Sequence, residues 1–248
     1  MVSEPIEFFQ QMRAGFGQIL AAPGADAQAM STALAGRAFG WFESNVDEQT
    51  RGLPPLACTK GCPTCCALRV TATAPEIFAM ADYVRKVDAT PQGARLALAS
   101  RIRETNAQTS GQSETRRLAS GTPCPILVEG VCVLHPVRTL ACRGLAAYAQ
   151  AECKAAARGE DTTVALSEPH LRLRALVQHA LQAALRDKGL AWGLYELNQG
   201  LALALAEPQR MDAWLAGEDS LAPASAERPA DPRRMALVQV LDAMPAPA

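Results

Sequence analysis

Apolar residues recur along most of this chain at steps of three and four, the spacing of one helix face. Phe8, Phe9, Met12, Phe16, Ile19 and Leu20 form a first stripe, and Met30, Leu34, Ala38, Trp41 and Phe42 form a second beyond Pro23-Gly24. Thr73-Ala74-Pro75-Glu76 has capping-box spacing ahead of Ile77, Met80, Ala81 and Val84, so a helix starts there. Ser167-Glu168-Pro169 opens another helix, with Leu173, Val177, Ala180, Leu181 and Ala184 on one face, and residues 190–206 continue in helical fashion. The polar stretch 101–120 reads as a helix plus an exposed connection. Asp231-Pro232 caps a last helix carrying Met235, Val238 and Leu241. The expected fold is mainly α: a single helical domain over 1–216, a Pro/Ala/Ser linker over 217–230, and a C-terminal helix with a short tail over 231–248.

Composition agrees with the pattern. Ala occurs 48 times and Leu 28 times while aromatics make up 5%, which favours helices over strands. A hydrophobic fraction of 49% in 248 residues supplies an ordinary core without staples. The net charge of −1 provides no basic field, so neither nucleic acid nor a membrane surface is an expected partner. Glu4 and Glu7 stand where a secretory signal would be basic and apolar, and 190–206 is too short and too interrupted by Glu196, Asn198, Gln199 and Gly200 to span a bilayer. A soluble cytoplasmic protein is expected, and in that reducing compartment clustered cysteines point to metal binding or redox chemistry.

The cysteines are indeed clustered. All 8 lie in two windows: Cys58, Cys62, Cys65 and Cys66, then Cys124, Cys132, Cys142 and Cys153. Core thiols would follow the helical stripes, and these avoid them. The first window, Cys58-Thr-Lys-Gly-Cys62-Pro-Thr-Cys65-Cys66, is a loop whose Gly61 and Pro63 allow tight reversals that aim thiolates inward and leave amides free to bond sulfur. Adjacent cysteines rarely point the same way, so Cys65 and Cys66 divide their roles: one ligates with its own loop, and the other faces a second metal, the other window, or nothing. Pro123, Pro125, Gly130 and Pro136 keep the first half of the second window non-helical.

These elements resemble the YkgJ-type cysteine-cluster family, a zinc- or iron-chelating domain with a CxxCxxCC-like loop followed by CP-hydrophobic-x-C and RPxxCR elements. The resemblance spans 58–153. It falls on Cys58, Cys62, Cys65 and Cys66, on the helix-starting acid Glu76, on Cys124-Pro125-Ile126-Leu127, on Cys132, and on Arg138 with Cys142-Arg143. Arg138-Thr139 stands in place of the usual RP, and His135 in place of a frequent aromatic. The resemblance implies a metal or iron–sulfur centre, and the expected ligands are drawn from all eight clustered cysteines, Cys153 included. Flagellin lysine N-methylases share the pattern, which implies for them an iron–sulfur cluster and S-adenosylmethionine-dependent methyl transfer to a protein substrate.

Thiolate-rich ligation selects zinc or an iron–sulfur cluster over hard cations. Structural zinc favours paired knuckles, and the wide gaps of the second window suit a cluster, [4Fe-4S] for choice, built from one compact loop plus distant ligands. Cys58, Cys62 and Cys65 also have the spacing of radical S-adenosylmethionine enzymes, but Thr64 replaces their aromatic and no alternating strand–helix run provides their barrel. No GxGxxG cofactor loop follows a strand. His135 either joins the site or is a turn residue before Pro136, while His170 and His179 read as surface or boundary residues. Arg138 and Arg143 offset an anionic cluster, bind a substrate carboxylate, or pair with acidic side chains. Four readings follow: an iron–sulfur protein, a methyltransferase acting on protein lysine, a zinc-stabilised interaction module, and a metal-free thiol redox switch at Cys65-Cys66, for which eight clustered thiols are more than is needed.

Overall fold

The computed structural model describes residues 5–226; the C-terminal helix expected over 231–248 lies outside them. The protein is mainly helical. Helices α1 (Pro5–Leu20) and α2 (Ala27–Gln49) bury the faces their stripes mark: Phe9, Met12 and Phe16 from the first, and Met30, Leu34, Ala38 and Phe42 from the second. Trp41 stays at the edge, T-stacked on Phe16 at 4.9 Å. Asp26 caps α2 by accepting the Ala29 amide at 2.6 Å.

After the cysteine loop, whose last part is a 3-10 turn (Thr64–Ala67), strand β1 (Thr71–Ala72) leads into α3 (Ala74–Asp88). The polar stretch expected as one helix and a connection holds two helices, α5 (Leu98–Thr109) and α6 (Glu114–Ser120), preceded by the single turn α4 (Pro91–Ala94). The Ser113 hydroxyl accepts the Arg116 amide at 3.2 Å and starts the extra helix.

The second cysteine window opens with a hairpin of β2 (Leu127–Val128) and β3 (Val131–Cys132), paired Leu127↔Cys132. Its two-residue turn has φ 50° at Glu129 and 78° at Gly130, the twist a tight hairpin requires. Two short helices follow, α7 (Leu140–Gly144) and α8 (Gln150–Ala157).

Helix α9 (Glu168–Asp187) is the central strut. It buries Leu173, Val177, Ala180, Leu181 and Ala184 and packs against α1, α2 and α7. Arg13 clamps its end by donating from Nε and an amino group to Asp187 at 2.7 and 2.8 Å.

Residues 190–206 are not one helix, contrary to the periodicity. The chain leaves α9 through Gly189 at φ 69°, and β4 (Tyr195–Glu196) pairs with β1 before α10 (Leu197–Ala206) begins. The Glu196 carboxylate caps α10 by accepting the Gln199 amide at 2.7 Å, so an acid that looked like an interruption is a helix start. Helix α10 packs on α3 and α5, and α11 (Arg210–Leu215) follows. Residues 217–226, expected as the start of a linker, lie against this body: Leu221 and Ala224 are buried, and the Tyr195 hydroxyl donates to Asp219 at 2.7 Å. Among the described residues no helix is long and apolar enough to cross a membrane.

Candidate metal centre

The two cysteine windows, far apart in sequence, meet around the 3-10 turn that carries Cys65 and Cys66. The Cys124 amide donates to the Cys66 carbonyl at 2.7 Å, which joins the second window to the first through the backbone. Cys58 is met from the other side. The Ala57 amide donates to the Ala147 carbonyl at 2.9 Å, and the Ala147 amide donates to the Cys58 sulfur at 3.4 Å. Segment 146–148 is fixed in turn by residues 165–167, through Ser167 to Ala146 at 2.8 Å and Tyr148 to Ala165 at 2.9 Å.

Helix α8 packs on the 3-10 turn. Its first residue, Gln150, donates from the side-chain amide to the Cys62 sulfur at 3.3 Å. Cys153 lies three residues on, on the same helix face. The thiols that push Cys153 up, after burial, are Cys58, Cys62 and Cys65.

A second group of thiols sits deeper. Burial pushes Cys124 up to about 12 and Cys142 up to about 11. Burial also raises Cys132. Cys124 senses Cys142 and Cys132, Cys142 senses Cys132 and Cys65, and Cys66 senses Cys65 most strongly and then Cys124 and Cys142. Arg101 holds the start of this segment, donating to the carbonyls of Pro125 at 2.9 Å and Leu127 at 2.8 Å.

Helix α7, which carries Cys142, is anchored by a carboxylate the sequence marks only as a cap. Glu76 reaches back to its own Thr73 amide at 2.8 Å, as the capping box predicts, and also accepts the Thr73 hydroxyl at 2.8 Å. Its other oxygen accepts the Leu140 amide at 2.7 Å, so one acid ties the start of α3 to the start of α7. It is 1% exposed, and burial raises its pKa while these three donors and Arg174 hold it down. Thr139 completes the N-terminus of α7 by accepting the Cys142 amide. Gly144 ends it hard against α9: a Cβ there would meet Arg174 Cβ at 2.5 Å.

The comparisons yield nothing to set beside this geometry. No family model, curated protein or solved structure matches the chain.

Of the readings for Arg143, pairing with an acid is what the structure contains. The guanidinium pairs with Glu43, donates to the carbonyls of Pro136 at 2.7 Å and Arg138 at 2.8 Å, and lies 4.2 Å over the Phe39 ring. Arg138 turns to His135, its amino group 3.1 Å from Nδ1. His135 is therefore engaged at its turn, and burial beside Arg138 and Arg143 keeps it neutral-leaning. His170 corrects its expected surface placement: it is buried, 2.8 Å from the Ser167 hydroxyl, with its ring edge toward Phe42. Burial lowers His179 as well.

All eight cysteines are free thiols. Among the described residues no group of three or more His, Cys, Asp or Glu side chains is placed to hold a metal ion. The thiols are neighbours without being a finished ligand sphere, and a physical reason is at hand: protonated S–H groups gain little from closer approach, whereas a metal supplies the attraction. The donor set nevertheless suits such a group in its chemistry. Backbone amides of Thr64, Ile126 and Leu134 act on the thiols two residues earlier, Cys62, Cys124 and Cys132, and favour the thiolate in each. Gln150, Ala147, Thr139 and the second bond of Glu76 escaped sequence reading. Only Thr139, a hydroxyl just ahead of Leu-Ala-Cys, left a capping signal that could have been found.

Proposed function

We propose that this chain is a metal-binding cysteine-cluster protein that coordinates iron–sulfur through thiolates of both windows. One observation carries the reading: the two windows, whose eight cysteines are free thiols, are joined at the turn that carries Cys65 and Cys66, with amide donors directed at several of the sulfurs. Disulfide scaffolding is a poor alternative, because a core to which eight of the described helices contribute needs no staple. The resemblance to the YkgJ-type family points the same way, since its metal-linked positions are the residues that meet here.

The residues that would hold the group are Cys58, Cys62, Cys65, Cys66, Cys124, Cys132, Cys142 and Cys153. Iron–sulfur would supply electron transfer or Lewis-acid chemistry there, and the chain's own part is to aim amides at sulfur and exclude water from the deeper thiols. Full-length protein purified without oxygen should be brown and carry iron and acid-labile sulfide in equal amounts. Colourless protein with stoichiometric zinc would transfer the site to the structural-zinc reading, and protein with neither would end the metal reading altogether.

A further inference from the structure

The two windows are not the two halves of the site. Cys153, from the second window, belongs by position with Cys58, Cys62 and Cys65: it shares a helix face with Gln150, which bonds Cys62, and α8 packs on the turn that carries Cys65. Cys66, from the first window, belongs with the second, because its carbonyl takes the Cys124 amide and it neighbours Cys124 and Cys142. The thiols of this vicinal pair hydrogen-bond one another in the 3-10 turn, so Cys65 and Cys66 form the junction between the two groups.

Iron–sulfur clusters of both common types take four cysteine ligands, and eight thiols divide into two such sets without remainder. Resting on the reading above, we infer that this chain holds two iron–sulfur centres, an outer one on Cys58, Cys62, Cys65 and Cys153 and an inner one on Cys66, Cys124, Cys132 and Cys142. The windows exchange one cysteine each, and the Cys65–Cys66 peptide joins the centres.

A second observation supports the inner centre. Arg117 on α6 is 4% exposed, yet its Nε and one amino group have no hydrogen-bond partner among the described residues. A buried guanidinium with unmet donors is costly unless an anion faces it. Arg117 acts electrostatically on Cys124 as well as on the Glu196 carboxylate, and a tetrathiolate cluster, which carries net negative charge, would supply an anion on the Cys124 side.

The test is iron and sulfide content, with electron paramagnetic resonance of the reduced protein, on full-length chain reconstituted without oxygen. Three proteins decide it: wild type, Cys66→Ser, and the double variant Cys58→Ser/Cys153→Ser. Wild type should carry twice the iron of the double variant, which keeps one complete inner signal. Cys66→Ser should lose the other signal and leave the outer one. Circular dichroism checks folding, and if Cys66→Ser fails to fold, the double variant on the outer loop still decides. Loss of all iron in the double variant means a single shared centre and overturns the partition. So does a result in which Cys66→Ser removes the same signal as Cys58→Ser/Cys153→Ser, which would restore the windows as the units. Wild type without iron overturns the preceding reading, and that outcome is distinct from either.

Discussion

The outer and inner thiols are built from the same residue in the same chain, and their surroundings could hardly differ more. Cys58 and Cys65 are exposed on a loop shaped by Gly61 and Pro63, and their support comes from single hydrogen bonds to Ala147 and between neighbouring thiols. Cys124 and Cys142 are desolvated and braced from several elements: Arg101 on the backbone beyond Cys124, and Glu76, Thr139 and α9 around Cys142. The difference separates reactivity from anchorage. Hydrogen bonds favour the thiolates of Cys62 and Cys65, whereas the inner thiols are held in place by the fold before any ligand arrives.

The largest expected effect attacks the anchorage. Glu76→Ala strands the Thr73 and Leu140 donors in a buried place, which should cost roughly 3–5 kcal/mol in urea unfolding. In the metal-free chain it should also open Cys142 to alkylation while leaving Cys58 and Cys65 unchanged. Equal acceleration of both sets by mass-spectrometric mapping would show that Glu76 supports the whole fold rather than the inner side.

Next comes the pH dependence of the metal-free thiols. A hydrogen bond from Cys66 brings Cys65 down to about 6, while burial holds Cys142 near 11. Alkylation of Cys65 should therefore level off above about pH 6, and that of Cys142 should keep rising about tenfold per pH unit to about 11. At neutral pH the outer thiol should lead by on the order of a hundredfold, the thiolate advantage being partly offset by its lower nucleophilicity. Parallel pH profiles would erase the distinction.

Gly144→Ala probes the seat of α7. The new Cβ meets Arg174 Cβ and Cγ at 2.5 and 2.6 Å, and the His170 carbonyl at 3.2 Å, so α7 must lift from α9. A loss of about 1–3 kcal/mol is expected, with Cys142 the thiol most exposed by it. The smallest effect belongs to Gln150→Leu, which removes the donor to Cys62. Stability should change by less than about 0.5 kcal/mol, and Cys62 should alkylate only a few-fold more slowly at neutral pH.

The sequence made the helices legible where one face is apolar over several turns. The stripes of α1, α2 and α9 predicted their buried residues, because that period is a local property. It misled at 190–206, where apolar composition concealed a strand: Tyr195 and Glu196 extend because β1, more than a hundred residues earlier, is there to pair with them. The same division holds at the site. Clustering identified the eight cysteines, but the thiols of Cys65 and Cys66, expected to part, hydrogen-bond each other, and which other thiols become neighbours depends on where α8 docks. Likewise the capping role of Glu76 lies within four residues and was readable, whereas its bond to Leu140 crosses 64 positions and was not.

The position of α9 has a consequence for how the protein is made. Every cysteine precedes this helix in the chain, yet it is α9 that seats α7, and residues 165–167 just ahead of it that fix the segment beside Cys58. During synthesis all eight thiols leave the ribosome before the strut that orders them exists. Delivery of metal to the nascent chain would meet unplaced thiols, so correct loading belongs after translation has passed α9.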